Sequence, residues 1–251
     1  MSKDSARAAA KCSFVHLPGH PETCRRVTKG FLIKFSMRRL IVGISGATGT
    51  IYGVRILEVL AGLKDVETHL VLTRAAKMTI QVETPYSVKD VEAMADVVHD
   101  INNVGASISS GSFRTEGMVI APCSMKSMGG IAHSVGGDLL VRASDVVLKE
   151  RKKLVLLVRE TPLHLGHLES MVALTRMGAV IFPPVPAFYH RPKTLDDVIN
   201  QTVTRVLDQF GIDVTLFERW SDEQMSRHPE AANPASVPTG KQGRKAIKKT
   251  T

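Results

Sequence analysis

The chain of 251 residues holds only three cysteines, one tryptophan and three tyrosines. Three thiols cannot frame a disulfide scaffold in a domain of this size, so a reducing compartment is expected and the chain is read as cytoplasmic. No apolar run approaches the ~20 residues that a bilayer helix requires, which argues against a membrane span. The N-terminus lacks the continuous apolar core of a secretory signal. Net charge is missing from the middle of the chain. The formal +9 belongs to the two ends: residues 1–36 carry seven Lys/Arg against Asp4 and Glu22, and residues 226–251 carry six against Glu230. Segment 37–225 has 20 basic and 21 acidic residues. Basic ends attract polyanions weakly, but a near-neutral body gives no reason to expect a nucleic-acid partner.

The expected organisation is a tail over 1–36, one domain over 37–220 that begins near Met37-Arg38-Arg39, and a basic tail over 221–251. The first tail spaces Cys12, His16, His20 and Cys24 four residues apart. On a helix this would be a zinc ligand set. Pro18 and Pro21 interrupt such a helix, so the cluster is read as chance and no metal is expected.

From Arg39 onward, short apolar runs alternate with longer amphipathic stretches. Strands are expected at 40–45, 69–73, 118–121, 154–158 and 179–182. Helical spacing predicts helices from the turn at 46–49 to Leu63, then over 74–81, 138–149, 164–177 and 195–210. The stretch 82–117 shows no regular period. Strands that are apolar throughout, separated by helices, require a parallel sheet covered on both faces. The predicted fold is therefore α/β, a doubly wound, Rossmann-like, mostly parallel sheet with helices on both faces. Ligands of such sheets sit beyond the carboxyl ends of the strands, so the loops there hold the candidate residues.

The first loop spaces its glycines as Gly43-x-x-Gly46-x-x-Gly49, which is not the dinucleotide fingerprint. The second strand ends in Thr73-Arg74, where NAD binders place an acid for the ribose. The second point argues against NAD and favours a ligand without adenosine, such as FMN, whereas the glycine loop alone also suits a tight turn without a ligand. The third loop, Cys123-Ser124-Met125-Lys126-Ser127, offers hydroxyls, a lysine and backbone N–H groups where a helix begins. Cys123 is read as a small buried residue rather than a nucleophile. The fourth sends Arg159-Glu160 out at the sheet's carboxyl edge; a surface ion pair is the plainer alternative. Arg142 and Lys149, two helical turns apart, share a face. Tyr189 follows a stiff Pro183-Pro184-Val185-Pro186 segment. Arg205, flanked by Val203, Val206 and Leu207, is expected to point inward, where a phosphate would offset its buried charge. Arg142, Lys149, Arg159, Arg205 and Tyr189 gathered around one carboxylate would suit a phosphate dianion beside a proton-transfer group.

These segments resemble the UbiX family of flavin prenyltransferases. The likeness is carried by Gly43-Ile44-Ser45-Gly46-Ala47-Thr48-Gly49, Ser109-Ser110-Gly111-Ser112-Phe113 and Pro122-Cys123-Ser124-Met125-Lys126-Ser127. It continues through Arg142-Ala143-Ser144-Asp145, Leu148-Lys149-Glu150-Arg151, Arg159-Glu160-Thr161-Pro162-Leu163, Phe188-Tyr189-His190-Arg191-Pro192, Arg205-Val206-Leu207-Asp208 and Arg219-Trp220. It runs from about Met37 to Trp220, leaving both tails outside. The resemblance implies metal-independent transfer of a dimethylallyl group from dimethylallyl phosphate to N5 and C6 of reduced FMN. The product, prenylated FMN, would serve a UbiD-type decarboxylase. It implies that Gly46, Ala47, Thr48, Thr73, Ser124, Met125, Lys126, Ser127 and Arg159 hold FMN. Tyr189 and Arg205 would bind the allyl phosphate, with Arg142 and Lys149 adding positive charge; Glu160 and Lys149 would be catalytic. A large homo-oligomer with sites at subunit contacts is also implied. An alternative is a flavin-dependent aromatic acid decarboxylase or its subunit, a label the family has carried.

Three departures stand out. Thr48 replaces a serine common in the family, and Gly137-Asp138 alters a turn. No tryptophan lies near Val104, where some members use one to shield the allyl cation; the sole tryptophan is Trp220.

Overall fold

The computed structural model describes residues 37–221. The Cys12/His16/His20/Cys24 cluster and both tails lie outside these residues. The described chain runs β1 (Arg38–Ile44), α1 (Thr50–Ala61), β2 (Val66–Leu72), α2 (Arg74–Glu83), α3 (Val88–Ala93), β3 (Val97–His99), β4 (Gly117–Cys123), α4 (Met125–Ala132), α5 (Leu139–Lys149), β5 (Lys153–Val158), α6 (Leu165–Met177), β6 (Val180–Ile181) and α7 (Leu195–Asp208). All pairings are parallel, in the order β3-β2-β1-β4-β5-β6. This is the doubly wound arrangement predicted. The strand order reverses between β1 and β4, the point where doubly wound sheets hold ligands in a crevice at the carboxyl edge.

The sheet separates two apolar layers. Leu40, Val42, Ile44, Val119 and Ala121 face α1 and α7, packing with Leu57, Val203 and Leu207. Ile41, Met118, Ile120, Leu154 and Leu156 face α4, α5 and α6, packing with Met128, Leu140 and Leu174. Successive strand residues point to opposite faces, so strands buried on both sides are apolar at every position; β4 is buried along its whole length. Each Leu or Ile so enclosed contributes roughly 1.5–3 kcal/mol of transfer free energy. α1 lies very close to β4 because residue 53 is glycine; a Cβ there would overlap the Ala121 carbonyl and the Ile44 side chain.

Side-chain caps set several helix starts. Thr73, Ser87, Ser124, Asp138 and Thr194 each accept a backbone N–H from the first turn of the following helix. Within 82–117, where no period was visible, the structure places α3, β3 and a short 3-10 turn at Ser107–Ser109. α3 and β3 span six and three residues, too few for a periodic pattern to accumulate.

Candidate active site

The switch point is built around Ser45, fully buried at the end of β1. Its N–H and Oγ–H both donate to the Pro122 carbonyl, at 3.2 and 2.9 Å. Its Oγ accepts from Ser124 N at 2.7 Å. One serine thus ties together the two strand ends where the sheet order reverses. Gly46 follows in close contact with α2: a Cβ there would overlap that of Ala75. Gly49, at φ 92°, takes the left-handed conformation that turns the chain into α1.

The helices that follow β1, β2 and β4 begin at this edge beside Ser45. The α2 and α4 starts are capped by the hydroxyls of Thr73, which accepts from Ala76 N at 3.1 Å, and Ser124, which accepts from Ser127 N at 3.3 Å. Ser124 Oγ also donates to Ser127 Oγ at 3.2 Å. The α1 start is different. Glu83, the last residue of α2, accepts from Gly49 N at 2.8 Å and from Thr50 N and Thr50 Oγ1 at 3.3 Å each. Desolvation works against this charge. Hydrogen bonds from Thr48, Gly49 and Thr50 outweigh it and hold the carboxyl below its ordinary value. No local sequence signal marked Glu83, because its partners lie more than 30 positions upstream.

Cys123 is fully buried, and burial pushes its thiol up to about 12, which removes it as a nucleophile. Arg159 continues β5, its N–H donating to the Cys123 carbonyl at 3.2 Å. Glu160 is exposed, with Oε1 accepting from Thr161 N at 3.0 Å. Tyr52 of α1 links this edge to α7. Burial raises its phenol, against a hydrogen bond with Thr202 and the positive charge of Arg159.

The five residues expected to gather around one carboxylate do not do so within one chain. Lys149 closes α5 just before β5 starts, so it lies at the amino edge, opposite Arg159. There it pairs with Glu150, and a Cβ on Gly111 would overlap both charged groups. Arg142, on the same helix, pairs with Asp145 at 2.9 Å. Arg205 sits near the end of α7, whose C-terminus meets the amino ends of β1 and β5 through Arg38 and Lys153. The expectation that Arg205 points inward is corrected. Its side chain is 47% exposed and pairs with Asp208 at 2.9 Å, because the 100° helical step turns position 205 away from its buried neighbours. Tyr189, also exposed, receives Gln201 Nε2 at 3.5 Å and stands edge-on to Trp220, with centroids 5.6 Å apart. Trp220, the sole tryptophan, thus adjoins a candidate substrate residue. Among the described residues no group of three or more His, Cys, Asp or Glu is arranged to hold a metal ion, and no helix is long and apolar enough to cross a membrane.

A flavoprotein family model matches residues 34–207. The flavin prenyltransferase UbiX of Escherichia coli strain K12 is 64% identical over 186 residues, spanning 73% of this chain and 98% of that protein. The flavin prenyltransferase UbiX of Thauera aromatica is 61% identical over 186 residues, spanning 74% and 95%. The chain belongs to the UbiX family of flavin prenyltransferases. Among solved structures, AnUbiX (PadA1) in complex with FMN and dimethylallyl pyrophosphate is 50% identical, with a TM-score of 0.72 over 73% of this chain and 97% of that one. A dodecameric FMN-dependent UbiX-like decarboxylase from Escherichia coli O157:H7 is 53% identical, with a TM-score of 0.72 over 73% and 99%. The parallel sheet with helices on both faces is thus the flavoprotein fold of these relatives.

Proposed function

We propose that this chain transfers a dimethylallyl group from dimethylallyl phosphate to N5 and C6 of reduced FMN, making prenylated FMN for a UbiD-type decarboxylase. The supporting observation is the 64% identity to a flavin prenyltransferase over nearly that protein's whole length. Residues 37–220 would carry the activity in the cytoplasm, with 1–36 and 221–251 as basic extensions.

The donors at this edge suit a flavin mononucleotide. A carboxylate already occupies the α1 start, so a phosphate is repelled there and directed to the starts of α2 and α4. Thr73, Ser124, Met125, Lys126, Ser127 and Arg159 would hold the phosphate and its chain through hydroxyl, backbone N–H and charged donors. Gly46, Ala47 and Thr48, with little side-chain bulk, would lie against the ring. When bound and reduced, FMN supplies electron-rich N5 and C6. Tyr189 and Arg205 would grip the allyl phosphate. Arg142 and Lys149 would stabilise the charge that grows on its oxygens as the allylic C–O bond breaks. Glu160 would take the proton released when the second bond forms.

Because Lys149 and Arg205 lie on helices covering opposite faces of one sheet, a complete phosphate site needs a second copy of the chain. A homo-oligomer follows from this reading. The test is anaerobic incubation of the protein with reduced FMN and dimethylallyl phosphate, followed by flavin mass analysis. A gain of one dimethylallyl group is expected. Decarboxylation of an aromatic acid without any adduct would instead support the second reading, which the decarboxylase relative favours.

A further inference from the structure

Away from the crevice, β2 carries a buried polar chain that the proposed chemistry leaves unused. His69 is 4% exposed and shares its sheet face with Val71, beneath α5. Its Nε2 lies 2.8 Å from Glu67 Oε1, and its Nδ1 lies 2.9 Å from His99 Nε2. A carboxylate only accepts, so His69 donates from Nε2; in the neutral pair, His99 then donates to His69 Nδ1. Arg39 Nε donates to the same Glu67 oxygen at 2.9 Å. The two imidazoles stack, with centroids 5.2 Å apart and an interplanar angle of 18°. Phe113 meets His69 edge-on at 4.9 Å, and the Arg39 guanidinium lies 5.6 Å over the Phe113 ring.

His99 ends β3 and Phe113 shortly precedes β4, so one side chain grips both ends of the 100–116 connection. Between those ends, Ser110 and Ser112 join their hydroxyls at 2.9 Å, and Gly111 packs against Lys149 and Glu150. Simple packing would be served by an apolar residue at 69, without the desolvation that a buried imidazole and its carboxylate partner incur. We infer that His69 is a positioning residue: through His99 and Phe113 it fixes the Ser110–Ser112 turn beside Lys149, where that turn faces the allyl phosphate. This rests on the phosphate role proposed for Lys149.

The test compares full-length, FMN-loaded wild type with His69→Phe, which keeps a ring but loses both hydrogen bonds, and His69→Gln, which keeps a donor for Glu67. For His69→Phe the KM for dimethylallyl phosphate should rise about tenfold while FMN affinity stays within about twofold. Hydrogen exchange should quicken in 100–113 and not in β1, β4 or β5, and His69→Gln should recover part of both effects. Unchanged KM and exchange would overturn the inference, as would loss of FMN affinity together with faster exchange throughout the sheet. If His69→Phe does not fold, Phe113→Leu, which touches the same loop from its far end, must show the same local exchange. A wild-type protein that forms no adduct would defeat the proposed function alone, since the exchange comparison needs no turnover.

Discussion

At Glu83 a carboxylate occupies the start of α1, where a phosphate would otherwise bind. Glu83→Ala should free Gly49 and Thr50 N–H groups and cost about 1 kcal/mol, the usual worth of a helix cap, read as a lower thermal midpoint. Because its pKa is depressed, the cap's contribution is present above the ordinary value of 4.5 and is lost as pH falls below it. Glu160→Gln should leave FMN affinity unchanged and slow adduct formation roughly 10²–10⁴-fold, the range for loss of a positioned acid–base group. Single-turnover flavin mass analysis checks this; an unaltered rate would reduce Glu160 to a structural residue. Arg205 shows how a sequence misleads at this scale. Its apolar neighbours implied burial, yet the side chain turns to solvent and Asp208. Glu83 shows the converse, a residue that only tertiary structure brings to the loop.

Among elements, β1, β4 and β5 were legible because burial on both faces leaves an unbroken apolar run. β3 and α3 were not: three and six residues, partly exposed, hold too little pattern. A local signal for α3 did exist in the capping box of Ser87 and Asp90. The close approach of α1 to β4 was invisible, since Gly53 reads as an ordinary helix glycine until the Ala121 carbonyl is seen beside it. Gly53→Ala should push α1 outward at a cost of about 1–3 kcal/mol and weaken FMN binding, measured by denaturant midpoint and flavin fluorescence. The β2–β3 pair also sets a pH response. Burial and the neighbouring His69 hold His99 below the ordinary histidine value of 6.5. The unfolded chain therefore binds the extra proton first, and stability is full above 6.5 and declines below it. His69 and Arg39 hold Glu67 below 4.5, adding a further loss in more acid solution. Thermal midpoints should fall steadily from neutral pH to about 4, and His99→Asn should flatten the upper part of that slope.

For the whole molecule, the proposed phosphate residues divide between two sheet faces, and on that proposal function depends on assembly. Lys149→Ala and Tyr189→Phe proteins, each impaired alone, should regain part of their activity when unfolded and reassembled together, because some mixed contacts carry both intact side chains. A mixture no better than its components would place the whole site in one subunit. Removing residues 1–36 and 226–251 should leave prenyl transfer intact, since every residue proposed for the reaction lies between Gly46 and Arg205. The sheet itself limits how copies join. Its outer strands, β3 and β6, have three and two residues, so each border exposes only a few unpaired peptide groups. Growth by adding strand to strand finds almost no template there, so copies of this chain would have to meet through other surfaces.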